Sequence, residues 1–122
     1  MTGPLEVAQG YIALWNTTDA ATRRAVLGRL WTPDARYRDP MMQGRGLDEI
    51  DAMIAAMQAK YMPALEFTLV STPDGHGPYV RFSWGLGPAG AGPVAIGTDV
   101  VRLEDGRIAE VTGFLDLVPA AA

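Results

Sequence analysis

The sequence predicts an α+β domain in which three N-terminal helices cover one face of an antiparallel β-sheet. Two patterns predict it. Before Pro63, apolar residues recur at steps of three and four, the spacing of amphipathic helices. After Pro63, apolar and polar residues alternate, as in strands with one buried face. Helices first and strands afterwards indicate a two-layer fold, and no linker or repeat interrupts the chain. We therefore expect residues 1–122 to form a single domain.

Three helices are predicted in the first half of the chain. The first covers residues 4–16, because a proline suits the first turn and the apolar stripe begins directly after it. The second follows a cap at Thr18 or Asp19 and carries Trp31 at the end of its stripe, where a Thr-Pro step stops it. The third covers residues 47–61.

Five strands are predicted. The first is the segment 35–40, which lies between the second and third helices and leads into a glycine-containing loop. The others follow the third helix, and an Asp-Gly turn joins the last two as a hairpin. They cover residues 65–69, 80–84, 94–103 and 111–116.

Composition argues against several classes of function. The net charge is −4 and the basic residues are scattered, which disfavours nucleic acid as a partner. One histidine and no cysteine disfavour a zinc site, and no apolar run is long enough for a membrane helix. Without a leader pattern or cysteines we expect a cytoplasmic protein with no metal and no cofactor.

Two motifs are expected to be unrelated to function. Residues 85–90 match the glycine pattern of dinucleotide-binding loops, but a strand rather than a helix follows them, so no helix N-terminus is available for a pyrophosphate. His76 lies between glycines in a turn, and we expect it to be solvated rather than catalytic.

Asp39 is the first candidate for a reactive group. Alternation directs Ala35, Tyr37 and Asp39 to the inner face of the first strand. The arginines between them then face solvent. A carboxylate at the end of an inward-facing stripe has two interpretations, a cap of the turn at Pro40 or a general base, and the sequence leaves both open.

Tyr11 and Asp99 are the other two candidates. Asp99 interrupts an apolar stripe in the fourth strand, where burial is expected to raise its pKa. Tyr11 lies on the buried stripe of the first helix, so its hydroxyl needs an internal partner. A neutral carboxyl and a tyrosine could together stabilise an oxyanion while Asp39 removes a proton. The alternatives are a core tyrosine for Tyr11, and for Asp99 an ion pair with Arg102 or another arginine, or a place on an exposed face.

Four segments resemble SnoaL-like members of the NTF2-like superfamily, and the resemblance covers about residues 4–117. They are 11–16 (YIALWN), 31–40 (WTPDARYRDP), 44–50 (GRGLDEI) and 97–108 (GTDVVRLEDGRI). The resemblance implies a cone, in which a curved sheet wraps around the helices and encloses an apolar pocket. The superfamily contains enzymes and non-enzymes, so it implies the fold more strongly than an activity.

Among the enzymes, the residue pattern is most similar to that of ketosteroid isomerase. That similarity implies that Asp39 is the general base and that Tyr11 and protonated Asp99 donate to the oxyanion. SnoaL-type polyketide cyclases instead imply Asp99 as the acid/base group. The expected reaction is a proton transfer next to a carbonyl, leading to double-bond isomerisation or to an aldol cyclisation. The alternative is a non-catalytic ligand-binding or accessory module.

The expected ligand is a small apolar cyclic compound with an enolisable carbonyl. Six residues are predicted to line its pocket: Trp15, Met57, Phe82, Trp84, Val111 and Leu115. Three outward-facing residues of the last strand, Thr112, Phe114 and Asp116, are predicted contacts of a homodimer formed through the open sheet face.

Overall fold

The structure is a computed structural model that describes residues 3–118. It contains three helices and seven strands, and five of the strands follow the third helix. The helices are α1 (Pro4–Asn16), α2 (Ala20–Leu30) and α3 (Gly46–Tyr61). The strands are β1 (Trp31–Arg38), β2 (Gln43–Arg45), β3 (Glu66–Leu69), β4 (Asp74–His76), β5 (Tyr79–Gly87), β6 (Ala95–Glu104) and β7 (Arg107–Leu117).

The strands form one curved sheet in the order β2-β1-β7-β6-β5-β3, with β4 also paired to β5. Every pair is antiparallel except β1 and β7, which run parallel. The α+β fold is therefore confirmed, and the sheet is mixed rather than purely antiparallel. The difference arises because β1 precedes α3 in sequence yet lies beside the last strand.

The first strand begins earlier than the sequence pattern predicts. Trp31 is its first residue, not the last residue of the α2 stripe, and its side chain is fully buried. The pairing with β7 is irregular between Trp31 and Arg36. This irregularity includes Pro33, which has no N–H to donate to a neighbouring strand. The Thr-Pro step therefore lies inside a bulged strand instead of ending a helix.

Side-chain hydrogen bonds fix the ends of the first two helices. Asp19 is the cap of α2, and its Oδ2 accepts the backbone N–H of Thr22 at 2.9 Å. At the end of α1, the Asn16 amide donates to the carbonyl of Phe67 at 2.8 Å and accepts its N–H at 2.9 Å. These two hydrogen bonds join the end of α1 to the backbone of β3.

A buried polar network joins the three helices. Arg23 donates to Asp51 at 2.8 Å and to Gln58 at 2.7 Å. The amide of Gln58 in turn donates to the carbonyls of Trp15 and Thr17. Because a buried cation is stable only when it is paired and hydrogen-bonded, this network holds α1, α2 and α3 in one arrangement.

The two motifs set aside in the sequence lie in the sheet and its loops. Residues 85–87 belong to β5, and the segment that follows leads into β6. His76 is exposed at the end of β4, as expected. Within residues 3–118, the structure contains no helix of the length and apolar character needed to cross a membrane.

Candidate functional site

A cavity of about 640 Å³ lies between the helices and the inner face of the sheet. Its walls are mainly aromatic and aliphatic, and they include Trp15, Met57, Leu65, Phe67, Trp84 and Leu86. Met41, Val94 and Val118 also line it and are exposed to solvent, so they mark its rim. A cavity of this size and composition suits a small apolar ligand.

Four of the six predicted pocket residues line this cavity: Trp15, Met57, Trp84 and Leu115. Phe82 and Val111 lie instead in the core and are each 1% exposed. The ring of Phe82 packs edge-on against Tyr11 at a centroid distance of 5.0 Å. Strand alternation predicts the face on which a side chain lies, but not whether the cavity extends that far along the strand.

The polar end of the cavity is formed by Tyr11, Tyr37 and Asp39. The hydroxyl of Tyr11 donates to Oδ2 of Asp99 at 2.6 Å. Asp99 is 1% exposed and lies behind Tyr11, outside the cavity lining. Asp99 therefore does not line the cavity itself, and its role as a donor to the oxyanion stays a prediction.

Within residues 3–118 Asp99 has no arginine partner, in contrast to one of the alternatives left open by the sequence. The side chain that could have paired with it, Arg102, lies 3.7 Å from Glu110 instead. This follows from the strand geometry, because residues 99 and 102 point to opposite faces of β6. The carboxyl group is thus buried with a phenol as its hydrogen-bond partner.

Burial raises the pKa of Asp99 to about 6, and the nearby Asp39 charge adds to the effect. Hydrogen bonds from Tyr11 and Trp84 oppose it. Burial, followed by the charge of Asp99, also raises the pKa of Tyr11 and of Tyr37, so both phenols are neutral near pH 7. When Asp99 is protonated it can donate to the Tyr11 oxygen, which leaves the Tyr11 hydrogen free to turn toward the cavity.

Asp39 both caps a turn and lines the cavity. Its Oδ1 accepts the backbone N–H groups of Met41 at 2.7 Å and Met42 at 2.9 Å. Its Oδ2 accepts the hydroxyl of Tyr37 at 2.6 Å. The two interpretations that the sequence left open are therefore compatible, because each uses a different carboxylate oxygen.

Tyr37 is the site residue that sequence reasoning missed. The sequence pattern places it on the inner face of the first strand beside Asp39, but does not identify it as a hydrogen-bond donor. It is 4% exposed, it lines the cavity, and its ring lies 5.7 Å from that of Trp15. The available signal was its position two residues before Asp39, which directs both side chains to one face.

Two glycines shape the site. A Cβ on Gly113 would lie 2.7 Å from Oδ1 of Asp99 and 3.1 Å from Cβ of Asp39, so the absence of a side chain lets the two acidic residues approach. A Cβ on Gly97 would overlap the indole ring of Trp84, which covers that stretch of β6. Gly113 therefore allows the approach of the acidic residues at the polar end, and Gly97 leaves space for the Trp84 ring in the cavity wall.

Comparison with known proteins supports the fold seen here. The SnoaL-like domain matches residues 8–111. A protein from Agrobacterium tumefaciens, provisionally described as an isomerase of the SnoaL-like family, is 50% identical. The match covers 95% of this chain and 99% of that one, with a TM-score of 0.88. The comparison with curated proteins found no match.

Two more distant structures have the same fold. A protein from Kribbella flavida, provisionally described as a ketosteroid isomerase, is 17% identical over 98% of this chain and 82% of its own, with a TM-score of 0.69. A protein from a Jannaschia species, provisionally described as a SnoaL-like polyketide cyclase, is 19% identical over 90% and 85%, with a TM-score of 0.68. At these identities the likeness concerns the fold alone.

Proposed function

The chain belongs to the SnoaL-like domain family, and on that premise we propose that it moves a proton next to the carbonyl group of a small apolar cyclic compound. One observation carries the proposal. The carboxylate of Asp39 and the hydroxyl of Tyr11 line the same end of an apolar cavity. Enolisation requires a general base and a hydrogen-bond donor to the oxyanion, and we assign these roles to Asp39 and Tyr11.

In the proposed reaction, the ligand carbonyl lies beside Tyr11 and its α-carbon beside Asp39. Asp39 takes the α-proton, the electron pair of the C–H bond forms the carbon–carbon double bond of the enolate, and the π pair of the carbonyl group moves to its oxygen. The Tyr11 hydroxyl donates to the resulting enolate oxygen. Below about pH 6 Asp99 is mainly protonated and supports this step from behind, because it then donates to the Tyr11 oxygen and leaves the Tyr11 hydrogen for the ligand.

Two products are compatible with this step. Asp39 can return its proton to a more distant carbon of the dienolate, which shifts a double bond. Alternatively, the enolate carbon attacks a second carbonyl of the same molecule, which closes a ring. The relative from Agrobacterium, described provisionally as an isomerase, supports the first outcome at 50% identity.

The test is hydrogen–deuterium exchange on 1-tetralone, an apolar bicyclic ketone, followed by NMR in deuterated buffer. The wild-type protein should accelerate exchange at the α-carbon, and Asp39→Asn should abolish the acceleration. The asparagine keeps an oxygen for the N–H groups of Met41 and Met42, so the turn is retained. Asp34→Asn, at an exposed position in β1 and ahead of Asp39, is the matched control and should exchange like the wild type.

The competing proposal is a ligand-binding module without turnover. One observation favours it: both oxygens of Asp39 already accept hydrogen bonds, and the Tyr11 hydroxyl is engaged with Asp99. This proposal predicts that 1-tetralone raises the thermal unfolding temperature while exchange stays at the buffer rate. Equal exchange rates for wild type and Asp39→Asn would remove Asp39 from any mechanism.

A further inference from the structure

Two charged residues line the cavity within residues 3–118, and they belong to different regions of its wall. Asp39 is at the polar end with Tyr11 and Tyr37. Lys60 is exposed, in the last turn of α3, and its Nζ lies 5.1 Å from the centre of the Tyr61 ring, which also lines the cavity. The apolar wall therefore carries one carboxylate, which is half-buried, and one ammonium group, which is exposed.

Lys60 is the only lysine of the chain, and every other basic residue is an arginine. No carboxylate lies within 4.0 Å of its ammonium group in the described part of the chain, whereas Arg23, Arg24 and Arg81 each have an ion-pair partner. The ammonium group is thus available to a ligand. Its contact with the Tyr61 ring keeps the side chain near the cavity.

The two charges would orient a ligand that carries an acidic group. Asp39 repels an anion from the polar end, while Lys60 attracts it to the exposed side. An apolar ligand with a carbonyl group at one end and a carboxylate at the other would place the carbonyl group near Asp39 and the carboxylate near Lys60. A neutral ligand would leave the ammonium group without a partner, and a ligand with its acid directed inward would place two carboxylates together.

We propose that the ligand of this cavity is an apolar cyclic organic acid whose carboxylate pairs with Lys60 while its ring system fills the cavity. This inference rests on the ligand pocket of the proposed function, and it adds the ionic class of the ligand. It requires no turnover, so a binding experiment tests it separately from the proton-transfer reaction.

The experiment uses two fluorescent probes that share one ring system. 8-Anilinonaphthalene-1-sulfonate carries an acidic group, and N-phenyl-1-naphthylamine lacks it. Lys60→Met removes the charge and keeps an unbranched apolar stem, whereas Lys60→Arg keeps the charge. Arg29→Gln removes one positive charge from an exposed position outside the cavity lining, and it controls for net charge.

We expect Lys60→Met to weaken the binding of the sulfonate probe about twofold to fivefold, the upper part of the range for an exposed ion pair. Binding of the neutral probe should not change, and Lys60→Arg and Arg29→Gln should bind both probes like the wild type. A second readout uses the single lysine. The sulfonate probe should protect Lys60 from acetylation, measured by mass spectrometry relative to the N-terminal amine.

Three results would overturn the inference. Equal weakening of the binding of both probes would mean that Lys60 contributes only through its apolar stem. Equal weakening by Lys60→Met and Arg29→Gln would mean that net charge alone attracts the anion. No weakening by Lys60→Met would mean that the acidic group does not reach Lys60. If exchange on 1-tetralone is absent while the Lys60 effects are found, the reaction fails and the ligand class stands.

Discussion

The hydroxyl of Tyr37 donates a 2.6 Å hydrogen bond to Oδ2 of Asp39, two residues farther along the chain. Two backbone N–H groups hold Oδ1 of the same carboxylate. The carboxylate is therefore fixed at both oxygens, by the turn on one side and by a phenol of the cavity wall on the other. This geometry sets the direction in which Asp39 can accept a proton.

Tyr37→Phe should remove this orientation without removing the base. We expect the exchange rate on 1-tetralone to fall about tenfold at saturating ketone, with little change in KM, because misplacement of a catalytic group lowers the rate of the chemical step. The free energy of unfolding should fall by about 1 kcal/mol for the lost hydrogen bond. Tyr61→Phe, which alters another tyrosine of the cavity wall, is the control. A rate equal to that of the wild type would show that Tyr37 does not position Asp39.

Gly113→Ala should disturb the approach of the two acidic residues. The added Cβ would lie 2.7 Å from Oδ1 of Asp99 and 3.1 Å from Cβ of Asp39, and at least one must shift. We expect the free energy of unfolding to fall by about 1–3 kcal/mol, as in other overpacked sites, and exchange on 1-tetralone to slow. Urea denaturation and NMR exchange measure the two effects.

Gly28→Ala in α2 is the matched control for that substitution. A Cβ there meets no atom within 4 Å, and alanine is preferred to glycine inside a helix by about 0.8–1 kcal/mol. The two substitutions should therefore change stability in opposite directions. A Gly113→Ala protein as stable and as active as the wild type would mean that a Cβ at this position fits without displacing either acidic residue.

The sequence predicts the helices well because their apolar stripes are long and their caps are local. It does not predict the parallel pairing of β1 with β7, because that pairing joins residues about seventy positions apart and depends on the whole sheet. The misassignment of Trp31 has the same origin. A buried tryptophan before a Thr-Pro step fits a helix end as well as a bulged strand.

The site is only partly predictable for a related reason. Asp99 is recognisable because a carboxylate interrupts an apolar stripe, and Tyr11 because a buried phenol needs a partner. Tyr37 is not recognisable as a donor, because an aromatic residue on an inner face fits a core equally well. Outside the site, the hydrogen bonds of Arg23 and Gln58 are not predicted, because they form where three helices meet and leave no local pattern in the sequence.

We also propose that two copies associate through the open face of the sheet. Phe114 is 55% exposed there, between Thr112 and Asp116 on the same face of β7. Phe114→Glu should convert a dimer to a monomer in sedimentation experiments, because it would bury two like charges near a two-fold axis. Val70→Glu, at a 44% exposed position in the segment after β3, should remain dimeric. A wild-type protein that sediments as a monomer at high concentration would contradict this association.

Asp99→Asn tests the buried carboxyl through the pH dependence of stability. Burial raises its pKa from 3.8 to about 6, so between these pH values the folded protein keeps a proton that the unfolded chain has lost. The contribution of Asp99 to the free energy of unfolding therefore falls as pH rises through this window, by about 3 kcal/mol, and is level above it. Asparagine does not ionise and keeps an oxygen for the Tyr11 hydroxyl.

The variant should accordingly gain stability relative to the wild type as pH rises. Urea denaturation at about pH 4, 5, 6 and 7 should show the difference between Asp99→Asn and wild type increasing by about 1–3 kcal/mol across the series. Subtracting the two proteins removes the contribution of every other titrating group. Asp34→Asn, the same change at an exposed position, is the control substitution. A difference that is constant with pH would mean that Asp99 ionises in the folded protein as readily as in the unfolded chain, and it could not then supply a proton to Tyr11 near pH 6.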